Sequence, residues 1–255
     1  MSTNEDMNDS TPGRFSVVIP TLQKSNRLGE IVSICAAHPL VLEVLVINNS
    51  PQPLIWKTPN VRVLQQEQNI FVNPAWNLGA REARGEYLAI INDDVVFDPV
   101  AFTHTAKILQ RGRFGIVGPD RSTFTESTSA RPGHRLARGS GTIFGFGTFM
   151  CMRRADYVPI PEEMRIWGGD DWLILNQRRP PAALIGIRFR TEMGTSSASP
   201  AIQALRASEQ ERADRILEPL HGTRWWHRLV RWADVTRVAR HKLRGRLVSL
   251  GGRGR

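Results

Sequence analysis

The chain has 255 residues, 41% of them apolar and 23% charged, the balance of a soluble globular protein with a sizeable core. No apolar run approaches the roughly 18–20 residues that span a bilayer, which excludes a transmembrane helix. Of the formal net charge of +10, ten Arg and Lys against the single Asp234 place +9 within residues 224–255, leaving a nearly neutral body and a basic tail.

The first 13 residues are polar, carry Glu5, Asp6 and Asp9, and lack the basic and apolar regions of a secretory signal; they predict a disordered tail. RFSVVIPT then reads as a buried parallel strand by its length and β-branched content. A helix is expected over residues 26–37, a second strand in VLEVLVINNS and a weaker third in VRVLQQ. In NPAWNLGAREARGEYLAIINDD, Pro74 suits a first helical turn and Gly85 a helix end, and a strand follows. This β-α-β-β-α-β order predicts an α/β fold: a mainly parallel, Rossmann-like sheet flanked by helices, with ligands at the carboxyl ends of its strands. Thr21, Asn48, Asn49 and residues 92–94 fall at such ends. Cys35 and Cys151 sit in apolar surroundings and read as two buried thiols of a reducing compartment, which predicts a cytoplasmic protein.

Two acidic pairs carry the chemistry. In LAIINDDVVFDP, adjacent carboxylates Asp93 and Asp94 end a buried strand, where they form either a solvated Asx turn or the seat of a hard divalent cation that phosphate oxygens complete. Neither GxxxxGK[ST] nor GxGxxG follows the first strand, so P-loop and dinucleotide-binding readings lose ground. In IWGGDDWLIL, Asp170 and Asp171 open an apolar helical run between Trp167 and Trp172. The plain reading is acids favouring a helix N-terminus. The functional one is a general base beside rings that pack on sugar faces.

With these stretches in order, the chain resembles the family 2 glycosyltransferases of GT-A fold over roughly residues 14–199. VVIPT resembles the first strand of their nucleotide site, NPAWNLGAREARGEYLAIINDDV the segment entering the DxD motif, GTFMCMRRADY the acceptor-side strand and turn, and GGDDWL the ED motif. The resemblance implies a GT-A domain over 14–200 and a helical, basic extension over 201–255. It implies a nucleotide-diphosphate sugar lying across the strand ends, with Pro20 and Thr21 beside the nucleoside and Asn48 where relatives carry an aspartate. Asn77 and Gly79 would shape the donor pocket, and Asn92, Asp93 and Asp94 would form the DxD. Asp94, with Asp93 nearby, would hold Mn²⁺ or Mg²⁺, which neutralises charge on the leaving diphosphate. Asp171, or Asp170 beside it, would deprotonate the acceptor hydroxyl, with inversion at the anomeric carbon, and Trp167, Gly169 and Trp172 would meet the acceptor. The implied activity is that of a hexosyl- or deoxyhexosyltransferase acting on a glycan, lipid-linked or protein acceptor.

Three positions depart from the family pattern: Asn92 and Asn48 replace acids, and Met193 stands about where a metal-binding His is expected, with Glu192 beside it. They keep open a second class, a degenerate sugar-nucleotide-binding protein whose basic tail binds membrane or nucleic acid. A nucleotidyltransferase would need a basic, glycine-rich loop after the first strand, and TLQKSNRLGE is a poor one. His104 and His134 read as isolated, Arg153 and Arg154 as surface charges or diphosphate contacts, and residues 121–141 as a long loop. Residues 201–218 read as a solvated helix. Beyond it, Trp225, Leu229, Trp232, Ala239, Leu243, Leu247 and Leu250 share one face at 100° per residue. Residues 224–250 therefore suit either docking on the body or the surface of an anionic membrane at its inner face, with nucleic acid a lesser alternative.

Overall fold

Unbroken apolar runs become the central strands because helices cover both faces of the sheet. The computed structural model describes residues 13–125, 131–137, 143–191 and 200–230. The first half contains β1 (Phe15–Thr21), α1 (Leu28–Ala37), β2 (Val41–Asn48), β3 (Val61–Gln65), α2 (Val72–Glu82) and β4 (Tyr87–Ile91). The second contains β5 (Val95–Phe97), α3 (Val100–Gln110), β6 (Ile116–Pro119), β7 (Gly133–Leu136), β8 (Phe149–Arg153), α4 (Gly169–Leu175), β9 (Ala182–Ile185), β10 (Phe189–Thr191) and α5 (Pro200–Leu217).

The sheet order is β3-β2-β1-β4-β8-β6-β9-β7. Strands β1, β2, β3 and β4 are parallel, β8 runs antiparallel to both β4 and β6, and β7 closes the far edge antiparallel to β9. A separate antiparallel ribbon pairs β5 with β10. Alternate strand residues feed two cores. Val17 and Ile19 join Ile31, Phe102 and Leu109 of α1 and α3 on one face. Val18 joins Trp76, Leu173, Ala213 and Trp226 on the other. Cys35 and Cys151 are free, buried thiols of the first core, and burial pushes both above the usual thiol range.

Four expectations change. Helix α2 ends at Glu82, three residues before Gly85. The 121–141 stretch is not wholly loop, because Gly133–Leu136 pairs with β9 as an edge strand. Helix α5 is not simply solvated, since Ala213 and Leu217 are buried against the body. In the tail, Trp226 and Val230 dock while Trp225 and Leu229 face outward. Residues 231–255 lie outside those described, as do Glu192 and Met193.

Candidate functional site

Because β1, β2 and β4 are parallel, Thr21, Asn48 and the 92–94 turn emerge on one edge of the sheet. Thr21 ties them together. Its hydroxyl donates to Asp93 Oδ2 at 2.6 Å and accepts from Gln23 N at 2.8 Å, while its carbonyl accepts from Asn49 N at 2.8 Å. Burial holds the Asp93 carboxyl above its ordinary value; the Thr21 hydrogen bond pulls it down, and the charge of Asp94 raises it again. Pro20 is buried in β1 opposite Ile47 and sets the end of the strand. Gln23 (φ 57°) and Phe71 (φ 67°) both take left-handed backbone at this edge, a strained conformation that recurs where loops are held for a ligand.

Asn48 meets a different arrangement from the expected nucleoside contact. It is fully buried, donates to Gln52 O at 2.8 Å and Gln65 Oε1 at 2.6 Å, and accepts from Gln23 Nε2 and Ser50 N, both at 3.1 Å. An amide with both hydrogens and both lone pairs engaged organises the loop after β2 rather than reaching into the cleft.

The second acidic pair opens α4. Gly168 (φ 73°) turns the chain, and Asp170 and Asp171 occupy the first helical turn. Gly169 lies hard against α2: a methyl group there would stand 2.1 Å from Asn73 Oδ1. Asn73 is buried and donates to Met164 O at 3.0 Å and Trp167 O at 3.4 Å, while its backbone N–H bonds Arg165 O at 3.1 Å. Asn73 thus stitches the turn before α4 to the start of α2. In the sequence, an Asn before Pro74 signals only a helix start.

The two acidic groups converge through the segment before β8. Asp170 Oδ2 lies 3.1 Å from where a Gly147 Cβ would stand, and the next residue's carbonyl, Thr148 O, accepts from Asn92 N at 3.0 Å. Burial, followed by the negative charge of Asp171, raises the Asp170 carboxyl to about 7. Asp171 is half-buried beside it.

Several of the other expected site residues make contacts within the fold. Asn77 accepts from Tyr157 Oη at 2.7 Å and Ile160 N at 2.9 Å and donates to Ile160 O at 2.8 Å, clamping the 157–160 segment to α2. Gly79 lets α2 cross β1: an added Cβ would stand 2.2 Å from Val18 Cγ1. We expect Gly79→Ala to cost about 2 kcal/mol by overpacking, read as a lowered melting midpoint in urea. Trp167 and Trp172 are both half-buried; Trp172 packs against the second core and donates Nε1 to Val158 O at 3.2 Å. Arg153 and Arg154 bond Leu109 O and Gly85 O at the opposite edge of the sheet, away from the diphosphate expected at the strand ends. His104 and His134, read as isolated, meet at 3.2 Å between α3 and β7.

Among the described residues no three His, Cys, Asp or Glu side chains converge as a metal cluster. The turn nevertheless suits a hard cation. Its donors are all oxygens, and the burial and like charge that raise Asp93 are what a divalent ion relieves.

Residues 16–160, more than half of the chain, match the model of glycosyl transferase family 2. The chain belongs to that family. Among solved structures, this family 2 chain is similar to S. aureus TarS 1-349 in complex with UDP-GlcNAc, at a TM-score of 0.57 and 17% identity over 81% of this chain and 71% of that one. It is also similar to GalNAc-T7 with UDP, GalNAc and Mn²⁺, at a TM-score of 0.56 and 13% identity over 72% of this chain and 44% of that one. At such identities the likeness establishes the fold, which is the GT-A glycosyltransferase architecture. No curated protein matches the sequence.

Proposed function

We propose that this family 2 glycosyltransferase is metal-dependent and inverting, moving a sugar from a nucleotide-diphosphate sugar to an acceptor hydroxyl. The supporting observation is the convergence of the 92–94 turn and the α4 acidic pair on the segment around Gly147. The donor's diphosphate lies at the turn, where Asp94, with Asp93 and the Asn92 amide, would hold the cation. When bound, a divalent ion supplies charge neutralisation to the leaving diphosphate. Asp171, with Asp170 beside it, takes the proton from the acceptor hydroxyl. The oxygen attacks the anomeric carbon from the face opposite the diphosphate, and the carbon–oxygen bond to phosphate breaks. With the acidic pair acting as one base on the acceptor hydroxyl, the transfer is a single displacement with inversion.

The two neighbours hold UDP-GlcNAc, and UDP with GalNAc, so uridine diphosphate sugars are the donors to test first. The test is a thermal-shift and hydrolysis screen of nucleotide sugars with Mn²⁺ and Mg²⁺. We expect one donor to stabilise the wild type only with metal, because a ligand that binds the folded state alone raises its melting point. Asp94→Ala should lose that shift. If a donor stabilises the wild type but is never turned over, the degenerate binding protein replaces the enzyme; if no nucleotide or metal moves the wild type, the donor site is dead and the basic tail carries the function.

A further inference from the structure

We propose that residues 224–230 form an anionic-membrane docking surface, set beside α4. The helical turn over residues 225–230 has two apolar faces, and only one is used by the fold. Trp226 and Val230 are 4% and 3% exposed, and Trp226 Nε1 donates to Gln177 O at 3.0 Å, just past the end of α4. Trp225 and Leu229, four residues apart and so on one side of the turn, are 63% and 41% exposed. Among the described residues the only other large apolar side chain so exposed is Ile55.

Charge decides what covers that face. Arg228, three residues from Trp225, is exposed, and Arg178, next to the Gln177 that anchors Trp226, is exposed as well. Arg224 lies at the margin, with Nη2 on Asn176 O at 3.4 Å. In sequence, eight further Arg and Lys follow against Asp234 alone. An exposed Trp and Leu interleaved with Arg224 and Arg228 match the boundary layer of an acidic bilayer, where the indole sits at headgroup depth and each cation near the surface adds attraction. Among the described residues no helix is long and apolar enough to cross a membrane, so the contact is with a surface.

The position has a consequence that rests on the proposed function. Trp226 anchors the turn just past the end of α4, whose first turn carries Asp170 and Asp171. A bilayer at Trp225 and Leu229 would therefore lie close to the acceptor side of the cleft, which suits an acceptor carried on a lipid.

The test is co-sedimentation of the full chain with vesicles of phosphatidylcholine plus phosphatidylglycerol and with vesicles of phosphatidylcholine alone. We expect binding to the acidic vesicles only, weakened by salt. Trp225→Ala/Leu229→Ala and, separately, Arg178→Glu/Arg228→Glu should each lower the partition coefficient about tenfold. All four side chains are exposed or flank exposed ones, so melting temperatures and donor hydrolysis should stay at the wild-type level. Equal binding to both vesicle types, no binding to either, or unchanged binding by the Trp225/Leu229 variant would overturn the proposal. So would retention on duplex DNA without vesicle binding. Sedimentation needs no turnover, so failure of the glycosyltransferase reading leaves this result intact, and the reverse also holds.

Discussion

Asp171→Asn is expected to lower turnover about a thousandfold while leaving the metal-dependent donor shift in place, the range spanned by a lost general base. Asp170→Asn should act differently. In the folded protein the Asp170 carboxyl titrates near 7, driven up by burial and by the charge of Asp171, so the two protons belong to the pair. Wild-type turnover should therefore rise with pH through about 7 and then level, as the second negative charge makes Asp171 a stronger base. Without Asp170, Asp171 loses that neighbour; the acid limb should move to lower pH, and the plateau should fall as the weaker base accepts a proton less readily.

Stability carries the opposite sign. A carboxyl raised from 3.8 to about 7 favours the protonated, folded form, so its contribution to stability is present at low pH. It is lost as pH climbs from about 4 to about 7, and above that the folded state bears the cost of a charge held partly out of water beside Asp171. Asp170→Asn should thus melt higher than wild type at pH 8, with the gain shrinking toward pH 4. Equal melting temperatures at pH 8 would show that Asp170 is not a strained carboxylate. A pH–rate profile unchanged by Asp170→Asn would separate it from the base.

The central strands were legible because a strand covered on both faces leaves a plain mark, a continuous apolar run such as VVIPT or YLAII. Strand β7 left none. Its residues GHRL are half-buried or exposed at the sheet edge, and they pair with β9 some fifty positions later in the chain. The acidic pairs were equally plain, since two adjacent carboxylates at a strand end or helix start are costly without a purpose. The amides were not. Asn48, Asn73 and Asn77 look alike in sequence, yet each is spent on partners 2 to 94 positions away, and only folding shows which amide faces the protein and which could face a ligand. The same holds for Trp172, an aromatic beside the acidic pair that packs against the second core and whose indole N–H finds Val158 O. The tail's apolar positions were visible, but which stripe docks depends on the surface offered by α4 and α5.

Gly169→Ala is expected to damage catalysis more than stability. Its methyl group would stand 2.1 Å from Asn73 Oδ1 and 2.6 Å from Asn73 Cγ. An amide at the end of a free side chain would swing away, but Asn73 is buried and held by its bonds to Met164 O and Trp167 O. The start of α4 must therefore give instead, carrying Asp170 and Asp171 with it. Overpacking of this kind costs about 1–3 kcal/mol. A displacement near 1 Å at the base, by contrast, lowers turnover about a hundredfold. The double variant Asn73→Ala/Gly169→Ala separates the causes, because removing the Asn73 amide opens the space the methyl needs. If the clash acts through position, the double variant should recover turnover relative to Gly169→Ala even though Asn73→Ala alone weakens the turn. Additive losses would show that the two residues act independently. The acidic pair would then owe its placement to the Gly168 turn alone.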